Sequence, residues 1–394
     1  MVEVVIAGAG MTAFGKFLDR GVRSLTAEAV AAAMADANAS YADIGLVVFG
    51  NAMSGLVTGQ ECIRSEVALR GTPLTGQPMI NVENACASGS TAVHVARMAV
   101  ASGQCEVALA IGAEKLTHPD KTVAFKAMES ALDQEELADL KRSFGIIDGS
   151  RSIFMDVYAK LTRAYMAKSG ATAEDFAAVA VKSHRAAALN PKAQFRKEVT
   201  LAEVLASRVI ADPLTLLMCS PIADGAAAVI VTTEAWAKKH GADYVRLSAS
   251  AVATGKGDGD GPTAAQLAAR RAYEQAGVTP SDVHVAEVHD ASSPAELIYY
   301  EELGLCAEGD GPKLLRSGAT DLGGRISVNP SGGLLSKGHP VGATGVGQLV
   351  ELMDQLRGRS GARQRPGAKV ALAENGGGYI GEDSAVGVVT ILTR

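Results

Sequence analysis

The chain has 394 residues, 47% of them hydrophobic and 20% charged, with a formal net charge of −6. That length gives two or three domains with ample core, and the composition excludes a disordered chain. The acidic balance leaves no electrostatic footprint for nucleic acid, although a local basic rim could still take an anionic ligand.

In chain order, residues 2–7 read as a buried strand running into GAGMTA at 8–13. Those letters match a dinucleotide fingerprint. No apolar-periodic helix opens after them and no acidic residue ends a second strand at the required distance, so a nicotinamide site is rejected. A helix follows over 24–37 and a strand over 44–49. An apolar lead-in, 77–82, then reaches NACASG at 84–89. Cys86 sits there on a Gly/Ala/Ser-rich turn at the start of a helix. Unpaired N–H groups and the positive end of the helix dipole are expected to lower its thiol pKa and ready it to attack a carbonyl. The residues alone leave two readings open, a nucleophile and a small apolar side chain packed at a helix start. A strand over 106–111 closes this stretch.

The order then breaks. Residues 118–213 carry charged, helix-favouring stretches (133–142 and 157–167) and Phe- and Met-bearing loops, and read as an inserted domain able to roof a site. The last third repeats the first: a helix over 263–276, a strand over 283–288, a Gly-rich turn around His339, a helix over 341–356 and a strand over 369–373. A long βα pattern that recurs implies two similar α/β halves. They are assigned to 1–117 with 214–245 and to 246–394, with 118–213 inserted. Cys86 and His339 occupy equivalent turns. A pseudo-two-fold axis would bring them together as nucleophile and base.

Five cysteines (Cys62, Cys86, Cys105, Cys219, Cys306) are widely spaced and form no CxxC pair. A disulfide scaffold and a zinc site within the chain are therefore not expected. No apolar run approaches the about 18 residues of a membrane span, and the first residues do not resemble a secretory signal. A cytoplasmic setting without membrane attachment is the expectation.

These residues together resemble the thiolase superfamily, in its sterol-carrier-protein-type thiolase and lipid-transfer-protein branch. The carriers are NACASG at 84–89, MCSPIADGAAA at 218–228, HDASSPAEL at 289–297, NPSGG at 329–333 leading to GHP at 338–340, and GGG at 376–378. The resemblance spans nearly the whole chain. It implies a layered α/β/α/β/α thiolase fold, two βαβαβ-type halves plus an inserted loop domain. It also implies an acyltransferase acting on CoA thioesters, with coenzyme A as co-substrate. Cys86 would accept the acyl group, and His339 would activate it and hold a thioester oxygen. His289 would help form an oxyanion pocket through a water, and the amides of Cys86 and Gly376 a second one.

One departure matters. Thiolases keep a second cysteine as general acid/base, and the corresponding positions here are Glu374 and Ala291. Glu374 is the candidate replacement, since desolvation at the end of a buried strand would raise its pKa. A carboxylate that merely binds backbone N–H groups is the competing reading. Tyr379 and His289 are fallback carriers. Cys219 and His94 are read as structural, Asp224 as a backbone cap, and His118, His184, His240 and His284 as solvated. The resemblance further implies a homodimer or dimer of dimers, and a small zinc-ribbon/OB-fold partner that would hold any zinc. Two rival functions stay in view: a retro-aldolase acting on a β-hydroxyacyl-CoA, and a non-catalytic lipid or acyl-CoA carrier.

Overall fold

A computed structural model describes residues 2–146, 152–257 and 259–394. Among the described residues twelve strands are formed: β1 Val4–Met11, β2 Leu46–Gly50, β3 Met79–Val82, β4 Val107–Glu114, β5 Val209–Ala211, β6 Leu214–Thr215, β7 Gly225–Thr233, β8 Val245–Thr254, β9 Val285–Glu287, β10 Ser327–Val328, β11 Val370–Gly377 and β12 Val386–Thr393. All but β5 and β6 lie in one ten-stranded sheet, ordered β10-β9-β11-β12-β8-β1-β7-β4-β2-β3.

The two halves of this sheet share one wiring. In the first, β2 is parallel to β3 and β4, and β7 runs antiparallel to β4 and β1. In the second, β9 is parallel to β10 and β11, and β12 runs antiparallel to β11 and β8. A short antiparallel seam joins them, Val5 opposite Arg246 and Ile6 opposite Val245.

Between the halves lie two helices, Ser88–Ala101 and Thr344–Arg357. Their apolar residues form one core with inward residues of both half-sheets, including Ala108, Val229, Val285 and Ala371. Helix Val22–Asp36 covers the outer face of the first half and helix Ala264–Ala276 that of the second. The result is the expected five-layer thiolase architecture. The layering follows from composition: β4 and β7 are near-continuous apolar runs because both of their faces are covered, and Thr344–Arg357 is buried on almost every side.

The GAG of the rejected fingerprint lies inside β1. A Cβ on Gly10 would stand 2.5 Å from Ala33 N and 2.6 Å from Ala29 O, so these glycines let helix Val22–Asp36 lie directly on the strand. Thr263 begins its helix with a capping box, accepting from Gln266 N–H at 3.2 Å and donating its own N–H to Gln266 Oε1 at 3.1 Å.

Between β4 and β7 the chain forms helices Lys121–Glu129, Leu137–Ser143, Ile153–Ser169, Ala173–Ala188 and Leu201–Ala206 and the β5–β6 hairpin. This roof is tied to the second half by Arg316, whose guanidinium binds both Asp175 oxygens at 2.7 and 2.6 Å. A buried Lys182–Glu296 ion pair adds to it. Among the described residues no helix is long and apolar enough to cross a membrane.

Candidate active site

Two equivalent turns meet at the centre of the molecule. One is Ala85–Ala87, which carries Cys86 into helix Ser88–Ala101. The other is Val341–Ala343, which follows His339 into helix Thr344–Arg357. They touch backbone to backbone: a Cβ on Gly89 would lie 2.7 Å from Gly342 O. Ala85 is held at φ +47°, a left-handed conformation that costs energy for a residue with a Cβ and persists only where the surroundings impose it. The Ser88 hydroxyl does so from within the turn, accepting the Asn84 N–H at 2.9 Å and donating to Ala85 O at 2.7 Å.

Cys86 Sγ and ring nitrogens of His289 and His339 all lie within 4.8 Å of one another. The two Nε2 atoms are 3.4 Å apart, with the rings inclined at 61°. The Thr344 hydroxyl donates to Pro340 O at 3.1 Å and so accepts from His339 Nδ1–H at 2.7 Å. This leaves the His339 Nε2 lone pair facing the cluster, the tautomer a base requires.

The electrostatics differ from expectation. Burial pushes the Cys86 thiol up to about 12, the Gly378 N–H opposes this and the Glu114 carboxylate adds to it. Desolvation of the thiolate outweighs the helix terminus. Burial also draws His289 down to about 4. His339 falls well below the usual histidine range, through burial and then the neighbouring His289. The resting site is a neutral thiol beside two neutral imidazoles.

Gly376 is confined by its neighbours: a Cβ there would be 3.0 Å from the Tyr299 hydroxyl and 3.2 Å from His289 Nδ1. The backbone N–H groups that meet Cys86 Sγ are its own and that of Gly378, the third glycine of the loop. Gly376 and Gly378 both line the cavity above the cluster.

That cavity has a volume of about 580 Å³. The first half supplies Met53, Cys86 and Leu116; the second supplies His289, Ala291, Leu335, His339 and Ser384. The roof contributes Phe125, Met128, Phe154, Met155, Tyr158 and Phe195. Lys16, Lys121 and Arg208 line it from exposed positions. His184 is buried and lines it too, its Nδ1 2.9 Å from Lys197 O, which corrects the expectation that it is solvated. His94, as expected, is structural, with Nδ1 3.1 Å from Ser250 Oγ. Cys219 lines the cavity rather than merely filling core, and its backbone forms an isolated antiparallel bridge with Ser292.

Glu374 is not among the lining residues. It is fully buried behind the His289 turn, where its Oε2 accepts the His289 backbone N–H at 2.9 Å. Burial raises its pKa well above the usual carboxylate range, and the carboxyl does not line this cavity. The sequence favoured Glu374 as proton carrier, and this position supports the competing reading of a backbone ligand. Asp224 is likewise a cap. It accepts the N–H groups of Leu116 and Thr117 at 2.8 Å each and pairs with Lys115 at 2.6 Å.

The remaining motifs brace the site. Asn329, at φ +53°, accepts Val288 N–H at 2.9 Å and donates to Glu296 at 2.8 Å. Asp290 accepts Leu334 N–H at 2.7 Å, fixing the turn that leads to His339. Thr344 and the three basic residues were not singled out from sequence, Cys219 was read as structural, and Gly378 entered only as part of the glycine loop. They sit in segments far apart along the chain, and only the fold brings them to one place.

Residues 4–235 match the family described as Thiolase, N-terminal domain, and residues 250–392 match Thiolase C-terminal domain-like. The chain belongs to the thiolase family. Sterol carrier protein 2 of Bos taurus is 39% identical over 99% of this chain and 72% of that protein. The acetyl-CoA acetyltransferase of Methanothermobacter thermautotrophicus is 40% identical over 96% of this chain and 97% of that protein. Among solved structures, an Ltp2–ChsH2(DUF35) aldolase superposes with a TM-score of 0.80 at 28% identity, covering 100% of this chain and 98% of that one. In thiolase terms, the site keeps a thiol at the head of one central helix and a Gly-His-Pro histidine at the head of the other. Position 291, where the sequence resemblance implies a second cysteine, holds an alanine.

Proposed function

We propose that this thiolase is an acyl-CoA C-acyltransferase that cleaves a 3-oxoacyl-CoA with CoA, or runs the reverse Claisen condensation, through an acyl-enzyme on Cys86. The observation that carries this reading is the cluster of Cys86 Sγ, His339 and His289 on the floor of a roofed cavity. His339 Nε2 would take the thiol proton as sulfur attacks the 3-oxo carbon. Both groups being neutral at rest, proton transfer and C–S bond formation run together. The amides of Cys86 and the glycine loop would meet the oxyanion of that step, commonly worth about 3–4 kcal/mol per donor. As the bond between the 2- and 3-carbons breaks, the thioester oxygen gains charge, and Nε2–H groups of the two histidines would stabilise it.

The departing carbon must then receive a proton. With Ala291 in place of a thiol and Glu374 out of reach, Cys219 is the residue we assign: it is a thiol that lines the same cavity, on a segment bridged to Ser292. Lys16, Lys121 and Arg208 at the mouth suit the phosphates of coenzyme A. Their position gives an acidic protein a local basic rim.

Intact-protein mass spectrometry tests the reading. Wild type mixed with acetyl-CoA and a panel of 3-oxoacyl-CoAs should gain one acyl mass, and Cys86→Ala should gain none. Turnover by Cys86→Ala at the wild-type rate would overturn it.

The alanine at 291 favours one second reading, retro-aldol cleavage of a β-hydroxyacyl-CoA, and the Ltp2–ChsH2(DUF35) neighbour is described as an aldolase. Cleavage without any acyl adduct, and surviving Cys86→Ser, would select it. A small DUF35-type zinc-ribbon/OB-fold partner is proposed on the same ground. A homodimer is proposed, with the open edge of β3 as its seam.

A further inference from the structure

No CxxC spacing is present, which is why no metal was expected in the chain. The fold nevertheless gathers three soft donors from residues 86, 289 and 339. In a tetrahedral zinc site with Zn–N bonds of about 2.0–2.1 Å, two histidine nitrogens stand about 3.3–3.4 Å apart. Here His289 Nε2 and His339 Nε2 are 3.4 Å apart. For two imidazoles hydrogen-bonded to each other that distance is long, and only one of them could be the donor. For two ligands of one ion it is the expected edge. A Zn–S bond of about 2.3 Å needs S···N separations of about 3.6 Å, so Cys86 has at most about 1.2 Å to close. The outer contacts are also those of a metal site: the His339 Nδ1–H is held by Thr344 Oγ1 at 2.7 Å, which fixes the ring with Nε2 inward. The fourth position opens into the cavity.

We propose that Cys86, His289 and His339 form a three-ligand site for Zn²⁺ or a similar soft divalent ion, whose occupancy blocks the Cys86 thiol reversibly. On binding, the thiol releases its proton to solvent and the sulfur lone pair forms the metal bond. His289 presents Nε2 by carrying its proton on Nδ1, so nothing is oxidised or reduced. The metal site stands on geometry alone. Only its inhibitory consequence rests on Cys86 being the nucleophile.

The test uses metal-free wild-type protein titrated with Zn²⁺ against a chromophoric chelator, with Co²⁺ as spectroscopic probe. One ion should bind per chain, and the Co²⁺ form should show a sulfur-to-metal charge-transfer band and intense tetrahedral visible bands. Cys86→Ala should abolish the charge-transfer band, and His289→Asn should weaken binding at least about tenfold. Thr344→Val should weaken it by about 10–100-fold. Alkylation mapped by mass spectrometry provides an arm without variants: Zn²⁺ should slow labelling of Cys86 and leave the exposed Cys62 unaffected. The proposal is overturned if no ion binds, if binding persists unchanged in Cys86→Ala, or if Cys86 labels equally fast with and without Zn²⁺. An acyl adduct formed without metal, together with no Zn²⁺ binding, sinks this proposal and keeps the thiolase reading. Binding without any adduct does the reverse.

Discussion

Cys86 is the residue whose environment most changes its expected chemistry. With the thiol near 12, its thiolate fraction should rise about tenfold per pH unit between about pH 7 and 10. Its alkylation rate, followed by peptide mapping, should climb through that range, whereas a thiol activated by a helix terminus would already have levelled off. On the acid side the fall has the sign of a titrating catalytic histidine but lies at lower pH. Both imidazoles are already neutral, so acyl-adduct formation should show no inflection near pH 6.5. It should fall only as pH drops towards 4, where His289 protonates. Glu374 gives a second contrast. Glu374→Gln keeps an oxygen for the His289 N–H and should retain activity within a few-fold. Glu374→Ala leaves that buried N–H without an acceptor and should cost about 1–3 kcal/mol in denaturant unfolding. Thr344→Val removes the partner of His339 Nδ1. It should cut kcat by about 10–100-fold, a part of the about 10²–10⁴-fold a placed base contributes. KM should stay nearly unchanged.

Among the elements, the two central helices set the geometry, and their close approach depends on absent side chains. A Cβ on Gly345 would collide with the Ser90 hydroxyl and lie 2.6 Å from Asn375 Oδ1 and 2.7 Å from Ser90 N. Gly→Ala in an exposed helix usually gains about 1 kcal/mol. Here Gly345→Ala should instead lose about 1–3 kcal/mol through overpacking, read as a lower thermal midpoint and a weaker adduct yield. How far the sequence shows these elements depends on length and pattern. Helix Val22–Asp36 and strands β1, β2, β4 and β9 stand out because apolar runs persist and turn residues bound them. The two-residue β10 carries no periodicity to read, and β11 extends through Gly376 and Gly377, residues that look like loop until β12 pairs with them. The site was legible where one motif carried one role, at Cys86, His289, His339 and the glycine loop. It was not legible at Cys219 and the basic mouth, whose neighbours are fixed by tertiary contact, nor at Thr344, whose bond to His339 five residues earlier depends on the path of the turn between them. Nor could the sign of the Cys86 shift be read, because burial was invisible and outweighed the helix terminus.

At the scale of the whole molecule, the sheet ends at β3, the strand that leads into the Cys86 turn. Its outer edge is unpaired among the described residues, and Ile80 is 40% exposed. Helix Ser88–Ala101 packs beside it and leaves Met98 55% exposed. An apolar open edge of this kind is a template for pairing with a second copy. Light scattering should therefore report twice the chain mass for wild type and a monomer for Ile80→Asp/Met98→Asp. A monomeric wild type would refute the assembly.

The Cys86 thiol belongs to one half of the repeat, while both imidazoles and the glycine loop belong to the other. Neither half holds the whole Cys86–His289–His339 cluster, although each holds five strands of the sheet in the same wiring. A gene cut in the connection between β7 and β8 would therefore yield two silent products whose activity returns only on reassembly. For the same reason, the two copies in this repeat are no longer spares for each other: each has become the other's missing part, and loss of function in either one has no backup in the second.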